Sequence, residues 1–249
     1  MKRASIGVVL VCIAVLIWIA SQFMSINLRG ETTVITEEPT AVPSSEPYTY
    51  SLIRVSSASA ITLIPNFSEK RDAKSLADDN GCRSAINGGF YDASEKPLGF
   101  FFTDNQTLGR YIQSRLVNGY FFATTDGVAH ISTELPTVSF QFALQTGPLL
   151  VFGGKSMPLS IQNDEPARRM VVAKTINNQI IFFTVYNGNS VYEGPLLGDL
   201  PDIVSNISSK ENLDIVDAIN FDGGSASAFY SGEANLSELT PVGSIFCIK

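Results

Sequence analysis

An acid followed by two glycines and two serines, Asp222-Gly-Gly-Ser-Ala-Ser227, is the most chemically loaded stretch of this 249-residue chain. It follows a short apolar run, Ala218 to Phe221, the order expected where a buried strand ends and hands polar groups to a pocket. Gly223 and Gly224 tolerate positive φ and let backbone N–H groups converge on one anion. The hydroxyls of Ser225 and Ser227 would add donors. Asp222 would be the reactive group and the loop its cradle, suited to a phosphate or a sugar hydroxyl. Asp-Gly is also a strong hairpin signal, and taken alone the stretch reads first as a turn.

An earlier segment, Ser84-Ala-Ile-Asn-Gly-Gly-Phe-Tyr-Asp92, repeats the same order: Ala-Ile-Asn, a glycine pair, an aromatic and an acid. Two loops of one design point to one site. The candidate residues are then Asn87, Gly88, Gly89, Tyr91 and Asp92 from the first loop, and Gln145 and Thr146 from the middle of the chain. Arg168 and Arg169 follow, and the last loop adds Asp222, Gly223, Gly224, Ser225 and Ser227. An arginine forks onto two phosphate oxygens while carboxylates and amides take sugar hydroxyls. Adjacent arginines on a strand face opposite ways, so only one of the pair need enter a pocket, and a salt-bridging role is expected for the other. Cleavage of a glycosidic bond would ask for a proton donor and, in the usual scheme, a second carboxylate, for which Asp92 is available.

These residues need a scaffold. The composition, 45% hydrophobic and 16% charged, is that of a globular domain with one good core. A formal charge of −7 without a Lys/Arg cluster argues against a nucleic-acid partner. The three cysteines, Cys12, Cys82 and Cys247, form no CxxC or Cys/His cluster, so a structural zinc site is not expected. Outside the cell, Cys82 and Cys247 would be free to pair, a matter of distance that spacing leaves open. No cofactor is expected, and no ligand spacing argues for or against a divalent metal near Asp222. The one histidine, His130, sits in a strand-like run and reads as structural.

Lys2 and Arg3 precede a charge-free apolar run from Ile6 to Ala20, extended to Met24, which predicts a signal anchor or transmembrane helix over 1–25. The basic end stays cytoplasmic and the rest is exported. Residues 26–47, rich in Pro, Thr, Ser and Glu, predict a flexible stalk. From 48 to 249 short β-rich runs dominate. Helices are expected over Glu69–Asp79, with Ser68 as its N-cap, and within Gly194–Lys210, where Asp199 caps and Leu200, Ile203, Val204 and Ile207 share helical spacing. The fold class is α+β: mostly strand, a mixed sheet with a few packed helices.

Four segments occur here in one order: Ile86-Asn-Gly-Gly-Phe-Tyr-Asp92 with Pro97-Leu-Gly99, Leu144-Gln-Thr-Gly-Pro-Leu-Leu-Val151, Arg168-Arg169, and Ala218-Ile-Asn-Phe-Asp-Gly-Gly-Ser-Ala-Ser227. In this the chain resembles the phosphodiester glycosidase family over about residues 50–249. The resemblance implies hydrolysis of a sugar-1-phosphodiester outside the cytoplasm, with Asn87, an arginine of the pair and the Asp222 loop around a carbohydrate or glycosyl-phosphate substrate. Two positions depart from the family pattern: Ala226 interrupts the Gly/Ser run, and Met170 stands where Thr is usual. The other reading is a non-catalytic glycan-binding or exopolysaccharide-assembly protein using the same pocket.

Overall fold

The computed structural model describes residues 48–249; the expected span over 1–25 and stalk over 26–47 lie outside them. Among the described residues no helix is long and apolar enough to cross a membrane. Strands numbered in chain order form three sheets. The first runs β1 (Tyr48–Val55), β12 (Ile180–Asn187), β11 (Arg169–Thr175), β13 (Ile215–Asn220), β9 (Leu149–Phe152), β10 (Lys155–Ser156). The second runs β15 (Asn235–Leu236), β14 (Phe229–Tyr230), β3 (Ser84–Asn87), β16 (Ser244–Ile248), β2 (Ile61–Pro65). The third runs β5 (Gln106–Gly109), β4 (Phe101–Thr103), β8 (Phe140–Thr146), β6 (Gly119–Thr124), β7 (Ala129–Ser132).

Every ladder between these strands is antiparallel, which corrects the expected mixed sheet. The reason is topological. Helix α2 (Leu200–Glu211) does carry the chain from β12 to β13 in the same direction, but β11 is inserted between them and pairs antiparallel with both. The α+β class and the predominance of strand hold.

Alternation along the strands builds one core from all three sheets. Phe121 lies at its centre, with ring centroids 5.3 Å from Phe142, 5.9 Å from Phe182, 6.1 Å from Phe221 and 5.3 Å from Phe246. The opposite face of the first sheet buries Val171, Ala173 and Phe183 against Leu200, Val204 and Ile207, the apolar stripe of α2. Helix α1 (Ala73–Asp79) covers the second sheet with Leu76 and Ala77. It starts later than expected: Lys70 takes a left-handed φ of 50° and Asp72, not Ser68, caps the helix by accepting from Ser75 N at 2.8 Å.

Cys82 and Cys247 form a disulfide that ties the start of the second sheet's central strand to the last strand. His130 stacks on Phe122 at 5.0 Å, and burial followed by the Lys174 charge lowers its pKa, which fits its structural reading.

Candidate active site

Strand β13 delivers the site. Ile219 and Phe221 point into the common aromatic core, while Ala218 belongs to the α2 side, so Asn220 and Asp222 fall on the α2 side by alternation. The strand character continues past Asn220, since Phe221 N donates to Met170 O at 2.8 Å and Asp222 N donates to Gly88 O at 3.2 Å. Asp222 therefore sits at a seam where the edge left by β9 gives way to the end of β3 from the second sheet.

Asn87 closes that seam. Its Nδ2 donates to Asp222 O at 2.8 Å and Gly88 O at 3.0 Å, and its Oδ1 accepts from Ala228 N at 3.0 Å. Buried and engaged at both amide atoms, Asn87 holds the two loops together. The two sequence echoes thus meet in space, one bonded directly to the other.

Asp222 is half-buried, and its Oδ1 accepts the N–H of Gly223 at 3.0 Å. Burial pushes its pKa up to about 7, and the Gly223 hydrogen bond offsets this only in part. A carboxyl balanced between its two forms near neutral pH is suited to proton transfer.

Both arginines are occupied elsewhere. Arg168 is fully buried: Nε donates to Ser227 Oγ at 2.8 Å, Nη1 to Val191 O at 3.2 Å, and Nη2 to Ser227 O and Ser237 O, with the guanidinium 5.2 Å above the Tyr192 ring. Arg169 donates through Nε to Pro195 O at 2.9 Å and through Nη2 to Glu165 O at 2.6 Å and Asp164 Oδ1 at 3.2 Å. In both, burial lowers the pKa. The expectation that one would salt-bridge fits Arg169. Arg168 acts as a strut under the Asp222 loop, because Gly224 N also donates to Arg168 O at 2.9 Å.

That strut explains Gly223. A Cβ there would stand 2.7 Å from Arg168 O, a backbone atom with no room to yield. Gly224, next to it, has φ +62°. Ser227 is buried, its Oγ donating to Gly224 O. Ser225 stays exposed, its Oγ 3.3 Å from Thr240 Oγ1. Of the two expected hydroxyl donors, Ser225 is the one open to a ligand.

The remaining candidates are engaged in the scaffold. Thr146 Oγ1 donates to Asn220 O at 2.8 Å. Gln145 is buried and staples the loop 110–118: Oε1 accepts from Ile112 N at 3.1 Å, and Nε2 donates to Ile112 O at 2.7 Å and Val117 O at 3.1 Å. Gly88 and Gly89 pack against Ser244 and Leu144, where a Cβ would come within 2.4 and 2.8 Å. Tyr91 donates its hydroxyl to Pro241 O at 2.9 Å and lies beside Phe67 and Gly243. Asp92 closes its own turn, with Oδ1 accepting from Ser94 N at 2.8 Å and Lys96 N at 3.0 Å, and no hydrogen bond joins it to Asp222. Among the described residues no cluster of three metal-ligating side chains forms.

One residue escaped the sequence reading. Asn220 is buried; its Nδ2 donates to Gly147 O at 3.0 Å and its Oδ1 has no partner. It shares a face with Asp222 two residues on, a signal already present in the alternation Ala218-Ile-Asn-Phe-Asp222.

Residues 80–249 match the phosphodiester glycosidase family, and the chain belongs to that family. Membership makes it a glycosidase-type hydrolase at family level. The fold is similar to those of several solved structures. The zebrafish N-acetylglucosamine-1-phosphodiester alpha-N-acetylglucosaminidase catalytic domain, auto-inhibited by its pro-peptide, aligns at a TM-score of 0.59 and 14% identity over 82% of this chain and 84% of that one. A putative exported protein from Burkholderia pseudomallei gives 0.55 and 10% over 83% and 75%. A hypothetical protein from Synechocystis gives 0.50 and 18% over 82% and 60%. No curated protein sequence matches.

Proposed function

We propose that this chain is an exported, membrane-anchored hydrolase that cleaves a sugar-1-phosphodiester in a cell-envelope or extracellular glycan, with Asp222 as its acid. The observation that carries the reading is the placement of Asp222 on a glycine-rich loop, bonded through its backbone to Gly88 and Asn87, in a chain of the phosphodiester glycosidase family; burial there pushes the carboxyl pKa up to about 7. A phosphodiester is an anion, and beside it a neutral carboxyl is favoured over an ionised one. The protonated Asp222 gives its proton to the oxygen between C1 and phosphorus as the C1–O bond breaks. Water adds its oxygen to C1, and a proton of that water restores the acid. Free sugar and a phosphomonoester leave. The N–H groups of the loop and the Ser225 hydroxyl are the donors available to a phosphate oxygen.

Export and anchoring rest on the charge-free run from Ile6 to Ala20 after Lys2-Arg3. The Cys82–Cys247 disulfide supports an oxidising compartment.

The test is release of free sugar from a panel of sugar-1-phosphodiesters by the full chain in neutral detergent, with Asp222→Asn as control. Wild type should release sugar and the variant should lose at least about a hundredfold in kcat/KM. Because the acid form is the active one, kcat/KM should hold below the Asp222 pKa of about 7 and fall as pH rises through it. Retained activity in Asp222→Asn would remove Asp222 from the mechanism. No release by wild type across the panel would instead favour a glycan-binding role.

A further inference from the structure

Arg168 is buried and Arg169, half-buried, is held by Asp164, Glu165 O and Pro195 O, so further cations for a phosphorylated substrate are sought elsewhere on the surface. Among the described residues, the basic side chains that make no hydrogen bond, ion pair or ring contact are Arg83, Lys96, Arg110, Arg115, Lys155, Lys174 and Lys249. Topology removes most of them. Arg83 precedes β3 and Lys249 follows β16, both at the ends remote from Gly88, because Ile248 pairs with Ser84. Lys174 lies at the far end of β11, opposite Asp217, and Lys155 lies beyond β9, opposite Phe152. Lys96 borders a separate groove with Phe67 and Glu69.

Arg110 and Arg115 remain, and both are exposed on the loop 110–118. That loop is fixed. Gln145 staples Ile112 and Val117, Ser114 Oγ accepts from Leu116 N at 3.2 Å and Val117 N at 3.1 Å, and Asn118 Oδ1 accepts from Leu149 N at 2.9 Å. It also meets the turn that holds Asn220, since a Cβ on Gly147 would stand 2.1 Å from Leu116 O, and Gly147 O is the acceptor for Asn220 Nδ2. Between the arginines Tyr111 is 64% exposed, a large aromatic surface beside a cleft of about 110 Å³ bordered by Tyr120, Asn118 and Gln145.

We infer that the loop 110–118 is the docking strip for an anionic glycan: Arg110 and Arg115 take phosphate groups along the glycan, and Tyr111 stacks on the face of a sugar ring. The strip rests on the phosphodiesterase reading of Asp222 for its substrate class, but its binding can be measured without turnover. Two unpaired guanidiniums on a stapled loop, in a chain of net charge −7, form a local attraction in an otherwise repelling field. They select a sugar-phosphate polymer over a neutral glycan.

The experiment titrates the full-length Asp222→Asn chain, in neutral detergent, with poly(glucosyl phosphate), in which glucose units are joined by phosphodiesters, and with dextran of similar length. Arg110→Ala/Arg115→Ala in that background should weaken polymer binding about tenfold or more at about 0.05 M salt and flatten its salt dependence. Arg110→Lys/Arg115→Lys should keep part of the affinity, and Tyr111→Ala should weaken it separately. All three sites are exposed, so the thermal midpoint should not move. Equal binding by the double alanine variant, equal affinity for dextran, or no polymer binding by the parent would each overturn the strip. Sugar release from small diesters by a wild-type chain whose Arg110→Ala/Arg115→Ala variant binds polymer normally would sink the strip and spare the hydrolase. Arginine-dependent binding without release from any diester would do the reverse.

Discussion

Replacing Asp222 by Asn should stabilise the protein above neutral pH while abolishing its chemistry. The carboxyl rises from an ordinary 3.8 to about 7, which at 1.36 kcal/mol per pH unit is about 4 kcal/mol. The sign follows from the proton count. Between these values the folded state holds a proton that the unfolded state has lost, so stability declines as pH climbs from about 4 and levels off above about 7. The asparagine side chain cannot ionise, and its Oδ1 can keep the hydrogen bond from Gly223 N. The variant should match wild type near pH 4 and exceed it by up to about 4 kcal/mol at pH 8, which is about 8–16 °C in thermal midpoint for a domain of this size. Denaturant unfolding followed by circular dichroism at half-unit pH steps measures the difference directly. Parallel pH curves for the two proteins, or a less stable variant at pH 8, would refute burial as the source of the raised pKa. The outcome expected is a trade of stability for function located in one carboxyl.

Other consequences concern the supports. Arg168→Met removes the partner of Ser227 O, Ser237 O and Ser227 Oγ inside the fold, and should cost about 3 kcal/mol or more, read as a lower denaturation midpoint; a neutral change would mean that the loop stands without its strut. The Cys82–Cys247 bridge closes a loop of 165 residues, for which chain entropy gives about 5 kcal/mol. Cys82→Ala/Cys247→Ala should therefore lower the unfolding free energy by about 2–5 kcal/mol, and wild type in strong reductant should fall to the same value.

Local chemistry settled much of this protein in advance. Alternating apolar residues placed most of the strands, the spacing of Leu200, Val204 and Ile207 placed α2, and the paired Ala-Ile-Asn and glycine segments marked the two loops that meet at Asp222. These features are written in neighbouring residues, so a linear reading recovers them. The antiparallel arrangement was not recoverable, because it depends on β11 inserting between β12 and β13, a long-range choice that no local pattern encodes. The roles of Arg168 and Arg169 were also decided late. As a pair of cations they suit phosphate, but burial gives each a set of backbone carbonyls that no spacing announces. Asn87 likewise reads as a ligand-facing amide and folds as a clasp. The raised pKa of Asp222 belongs to tertiary structure, because it comes from burial beside residues distant in sequence, Asn87 and Gly88 among them. The sequence determined which groups were available, since side-chain type and strand period are local. The fold decided which of them stayed free, since burial and long-range hydrogen bonds depend on every element at once.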